Sequence, residues 1–167
     1  PTMTLTATVN YHVHKPERQA FQLDAGGIIG NLIAPELAPT KVEVFDERPG
    51  SVGITFAENS VGFTAFPTAV TSFDADNAWR GKYDAELTKL LTTEVEAKEV
   101  IIFDHTIRTD DPDAARKPAR NVHSDYSEQG AEQRLIDILG AEKAAEWETG
   151  RYAFINVWRP VEAVINS

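Results

Sequence analysis

The reading of this chain turns on Arg120-Asn121-Val122-His123-Ser124-Asp125-Tyr126-Ser127. On an extended backbone, residues two apart leave the same face, so His123 and Asp125 point the same way. An imidazole beside a carboxylate supplies two of the three protein ligands of a non-haem Fe(II) facial triad, with the remaining positions open. The same two residues also fit a surface His–Asp hydrogen-bonded pair, and the motif alone does not separate the two readings. The other histidines are His12, His14 and His105, all earlier in the sequence.

Composition narrows the alternatives. The 167 residues fit one domain with a real core, and 42% hydrophobic with 25% charged residues is ordinary for a globular protein. A formal net charge of -10 argues against nucleic acid and anionic membrane as partners, since both require a basic face. Without cysteine there are no disulfides and no thiolate metal site. No apolar run approaches bilayer length, and Pro1-Thr2-Met3-Thr4 is unlike a signal peptide. The expected location is therefore cytoplasmic.

Outward from the motif, the pattern predicts strands over 5–11, 42–45, 54–56, 61–66, 100–107 and 151–161. The segment 24–40, with Gly26, Gly27, Gly30, Pro35 and Pro39, reads as loop, and the polar stretch 110–120 as a second one. A long amphipathic helix is predicted over 77–97 from Trp79, Tyr83, Leu87, Leu90, Leu91 and Val95, with Asp76 or Asn77 as its N-cap. Ser127 caps a further helix carrying Ala131, Leu135, Ile138 and Leu139, ended by Gly140. A last helical piece covers 141–148. Strands with one long helix before a strand-rich second half make an α+β or mainly β fold.

The ordered set Phe103-Asp104-His105-Thr106-Ile107-Arg108, Val122-His123-Ser124-Asp125-Tyr126-Ser127 and Asn156-Val157-Trp158-Arg159-Pro160 resembles the CmcJ/AsaB-like family of hydroxylases and desaturases. That family includes a gibberellin desaturase and proteins linked to cephem methoxylation. The resemblance covers nearly the whole chain. It implies a double-stranded β-helix (jelly-roll) core with flanking helices, Fe(II) and 2-oxoglutarate as cofactors, and His123 and Asp125 as metal ligands. It also implies a distal histidine and later jelly-roll strands that follow the NVWRP segment. The expectation is one oxygenase-like domain over 1–167 that lacks those strands. A C-terminal continuation or a second chain, such as another copy in a homo-oligomer, then supplies the third ligand. Related iron halogenases carry a small residue where Asp125 stands, so the carboxylate points to hydroxylation or desaturation of a small organic molecule. The contrasting expectation is a non-catalytic small-molecule-binding or assembly domain on a degenerate jelly-roll scaffold.

Four further residues are candidates to bind the co-substrate: Tyr126, Asn156, Trp158 and Arg159. Asn156 offers an amide and Trp158 a wall, although a core indole bonded to backbone fits Trp158 equally. Arg159 suits bidentate binding of a carboxylate, or a pair with a surface acid. His105 shares a strand face with Ile101, Phe103 and Ile107 and reads as a satisfied core residue rather than a ligand. His12 and His14 read as a solvated pair, and Gly26-Gly27-Ile28-Ile29-Gly30 as a plain loop. Asp110, Asp111 and Asp113 lack EF-hand spacing.

Overall fold

A computed structural model describes residues 4–16, 36–46, 53–114 and 118–163. The chain divides into two units, one formed by 1–50 with 106–125 and the other by 51–105 with 126–167.

In the first unit, β1 (Thr4–His12) pairs antiparallel with β2 (Leu37–Phe45), in a register running from Thr4 opposite Phe45 to His12 opposite Leu37. The alternation of Leu5, Ala7, Val9 and Tyr11 puts them on one face, opposite Val44, Val42, Thr40 and Ala38. β2 starts at Leu37, so residues 37–40, expected as the end of a loop, are strand. Pro39 sits opposite Asn10, at the outer edge of the pair, where a missing N–H costs no ladder bond. Beyond His12 the pairing continues, with Val13 N–H donating to the Glu36 carbonyl at 2.9 Å. Lys15 then reaches the Glu36 carboxylate at 2.8 Å and holds it below the usual carboxylate range. The Gly26–Gly30 loop lies outside the described residues.

The second unit is helical. α1 (Phe56–Asn59) stands where a strand over 54–56 is expected. The Thr55 hydroxyl accepts from Glu58 N–H, and Asn59 Oδ1 accepts from Thr55 N–H at 3.1 Å. These local bonds satisfy the turn's own backbone and outweigh the β propensity of Ile54 and Phe56. α2 (Arg80–Glu94) buries Tyr83, Leu87 and Leu90, which pack with Trp79 and Val70, while Phe66, Phe73 and Ile102 lie against the cluster. Each such side chain is worth about 1.5–3 kcal/mol of burial.

α2 begins three residues later than the Asn77 start. Asn77 takes a left-handed conformation (φ 60°), which asparagine tolerates but a helix cannot continue. Asp76 caps Ala78 N–H instead, and the Asp74 carbonyl accepts from Asn77 N–H and from the Trp79 indole. At the other end, Glu96 (φ 55°) turns the chain so that the helix stops at Glu94 rather than at 97.

α3 (Glu128–Leu139) and α4 (Ala141–Glu148) agree with the sequence reading. The Ser127 hydroxyl accepts from Gly130 N–H, and Gly140 (φ 80°) ends one helix and opens the next. Leu135 and Ala144 are buried. The segments 61–66, 100–107 and 151–161, expected as strands, form no sheet pairing among the described residues. Phe154 stands edge-on to Phe103 (5.8 Å) and to Tyr152 (6.2 Å).

Candidate metal-binding site

The site is built on β1. Asn10 holds the segment leading to His123 and Asp125 from two directions: its carbonyl accepts from Val122 N–H at 2.8 Å, and its side-chain amide donates to the Arg120 carbonyl at 2.8 Å. Segment 120–122 therefore runs along the β1 edge that β2 leaves open. Two residues on, Asn121 Nδ2 lies 2.7 Å from His12 Nε2.

This anchoring sets the His123 ring. Its Nδ1 lies 3.0 Å from the Asn121 carbonyl, and a carbonyl can only accept, so Nδ1 carries the proton. Nε2 faces Asp125 Oδ1 at 3.4 Å. Two donors on one first-row metal, each at about 2.1 Å, stand roughly 3.0–3.5 Å apart when adjacent in the coordination sphere. The separation, the Nδ1 contact with a backbone carbonyl and the N/O donor types fit a metal such as Fe(II). The side chains are 40% and 45% exposed, so a bound ion can be approached from solvent. Among the described residues, no group of three or more His, Cys, Asp or Glu comes together as a metal site.

The remaining candidates lie in the second unit. Tyr126 stacks at a tilt on Phe154, with ring centroids 4.8 Å apart. Asn156 is exposed, and Trp158 is 80% exposed. Arg159 turns inward: Nη2 donates to the Phe66 carbonyl at 2.5 Å, and the guanidinium lies 5.9 Å from the Tyr83 ring centroid. Its Nε is buried and has no hydrogen-bond partner among the described residues. A cleft of about 260 Å³ beside Trp79 and Lys82 holds none of these four residues.

His105 is a packed residue of this unit, as its apolar neighbours suggest. Its Nε2 lies 2.6 Å from Asp84 Oδ1, and its ring is edge-on to Trp79 at 5.0 Å. His12, by contrast, is more than half of a solvated pair, because it is half-buried and tied to Asn121. The sequence signal for it was thin: a histidine at the end of a strand shows nothing of a bond to a residue 109 positions away.

A family model described as an oxidoreductase/YMDC permease-like domain matches residues 9–167, and the chain belongs to that family. It is 31% identical over 157 residues to the hydroxylase/desaturase CTB9 of Cercospora beticola, covering 84% of this chain and 48% of that protein. It is 25% identical over 171 residues to the oxidoreductase AN1597 of Emericella nidulans, covering 96% of this chain and 57% of that one. These matches agree with the CmcJ/AsaB-like resemblance. The chain spans about half the length of the curated relatives it matches. No solved structure matches it. Among the described residues, no helix is long and apolar enough to cross a membrane.

Proposed function

We propose that this chain carries the His-x-Asp part of a non-haem Fe(II)/2-oxoglutarate-dependent oxidoreductase that hydroxylates or desaturates a small organic molecule. The observation that carries the reading is the orientation of His123, with Nδ1–H on the Asn121 carbonyl and Nε2 turned to Asp125 Oδ1. With Nδ1 on a backbone carbonyl, Nε2 is the nitrogen that a metal beside the carboxylate would take, as in metal-ligating histidines generally. Membership of an oxidoreductase family and the names of the two relatives support the same class of reaction.

In this reading, bound Fe(II) with 2-oxoglutarate supplies the dioxygen-dependent oxidation of a C–H bond. His123 and Asp125 hold two adjacent coordination positions. Asn121 keeps the imidazole proton on the far nitrogen, and β1 holds the whole segment at the distance required. A third donor comes from outside the described residues, either from further polypeptide or from a second chain. The double-stranded β-helix core belongs to the same proposal, with β1, β2 and segment 120–122 as one of its edges.

The test is an anaerobic titration with Fe(II) and 2-oxoglutarate, following the visible charge-transfer absorption of the chelate. The reading expects a band that His123→Ala abolishes. A band that survives the substitution removes His123 from the site; no band in the unsubstituted protein means that these residues do not assemble the centre by themselves, leaving part of an oxygenase or the non-catalytic small-molecule-binding domain.

A further inference from the structure

The two strands of the first unit present opposite kinds of edge. Along a strand, the N–H and C=O of alternate residues point to opposite sides. Val13 N–H donates to the Glu36 carbonyl, so the odd residues of β1 face β2. The even residues face away, and the Asn10 carbonyl accordingly accepts from Val122 N–H at 2.8 Å. By the same register, the outward residues of β2 are Leu37, Pro39, Lys41, Glu43 and Phe45. Pro39 has no N–H to offer, and Lys41 and Glu43 carry charge. Such residues close an edge to further strands.

The β1 edge has no such guard. Its outward residues before Asn10 are Thr4, Thr6 and Thr8, all exposed, β-branched and uncharged. Among the described residues, no strand other than β2 pairs with β1. A main-chain edge of this kind is suited to the addition of a strand.

The edge also complements itself. When an antiparallel copy is centred on Thr6, Thr6 stands opposite Thr6 and Thr4 opposite Thr8. All of these residues face outward, so each pair exchanges both of its N–H···O bonds. Glu43 lies beyond Thr6 in each copy, which keeps the two carboxylates roughly 14 Å apart, three strand spacings. On the other face Leu5, 65% exposed, comes beside Ala7 of the second copy, and Val42 and Val44 extend the same apolar surface on either side. Pairing over 4–8 stops short of Asn10, so segment 120–122 keeps its place on β1.

We propose that the edge of β1 over 4–8 is the surface by which two copies of this chain associate, joining their two-stranded sheets into one antiparallel sheet about a two-fold axis at Thr6. The inference is independent of the metal reading, since neither His123 nor Asp125 takes part in the contact.

The experiment is sedimentation equilibrium of the full chain over a dilution series, which is expected to show a monomer–dimer equilibrium. Thr6→Pro removes an outward N–H and no bond to β2, so it weakens the dimer at least about tenfold and leaves the far-ultraviolet circular dichroism unchanged. Thr6→Lys and Thr6→Glu each set like charges opposite one another and are expected to be monomeric alone. Mixed in equal amounts they form a dimer, because Lys then opposes Glu. An unsubstituted protein that is monomeric throughout the series overturns the proposal. So does a dimer that Thr6→Pro leaves as tight as before, or a Lys/Glu mixture that stays monomeric.

Discussion

His105 Nε2 lies 2.6 Å from Asp84 Oδ1, joining the end of the 100–105 segment to the exposed side of α2. The ring is held at the same time against Trp79 and Tyr83. Replacing His105 with Ala removes both contacts and is expected to destabilise the protein by about 1–3 kcal/mol. Metal affinity should be unaltered. Urea unfolding checks the first outcome and a Mn(II) titration the second; a large loss of affinity would make His105 a ligand after all.

Glu86 accepts from the Thr68 hydroxyl and from Ala69 N–H, and these bonds hold its carboxyl below the usual carboxylate range. A carboxyl whose folded pKa is depressed stabilises the fold above its unfolded pKa, and that contribution is lost as pH falls through the folded one. Solvent near the group keeps the effect small. Urea midpoints should therefore decline on the acid side between about pH 5 and pH 3, and less steeply in Glu86→Gln. Equal slopes in the two proteins would remove Glu86 from the account.

Leu135 is 3% exposed, the most buried leucine on α3. Leu135→Ala should cost about 2–4 kcal/mol, because its neighbours collapse only partly into the space left behind. Thermal unfolding measures this directly. A loss no larger than that of an exposed leucine would mean that α3 is not packed as described.

Ser127→Ala removes the acceptor for Gly130 N–H at the start of α3 and should cost about 1 kcal/mol. Gly140→Ala places a side chain at φ 80° between α3 and α4 and should cost a similar amount, about 1 kcal/mol, by backbone strain alone. Ser127→Asp, which keeps an acceptor, should be close to neutral by the same unfolding assay.

What the sequence made legible follows from what is local. The caps at Ser127 and Gly140 and the spacing of Tyr83, Leu87 and Leu90 along α2 act within a few residues, and the helices fall where they point. The Thr55-Phe56-Ala57-Glu58 signature was also in plain view, yet β propensity at Ile54 and Phe56 masked it. Strand pairing is not local. Leu5 to Tyr11 and Val100 to Ile107 carry the same kind of pattern, but only the first has a paired neighbour among the described residues. A β-rich sequence shows that a segment suits a pleated surface, not that a partner lies beside it.

The site divides in the same way. His123 and Asp125 were readable because their two-residue spacing places them together on any extended backbone. The contributions of Asn10, His12 and Asn121 depend on bonds spanning about 110 positions, for which no spacing rule exists. Arg159 was read as a carboxylate or acid partner, and its charge does act on Glu86, but its guanidinium also meets the Phe66 carbonyl and the Tyr83 ring. Its face on an isolated strand gave no sign of that partner.

In the proposed function, His123 Nε2 and Asp125 Oδ1, 3.4 Å apart, act together on one metal ion. The most direct measurement is a binding isotherm for Mn(II), a redox-inert stand-in for Fe(II), obtained from the EPR signal of the free ion. It would compare the unsubstituted protein with His123→Ala, Asp125→Ala and the double variant. The account predicts that each single substitution weakens binding at least about tenfold and that the double variant is little worse than either, because one site is already broken. Identical isotherms for all four proteins would contradict it and leave His123 and Asp125 as a surface pair.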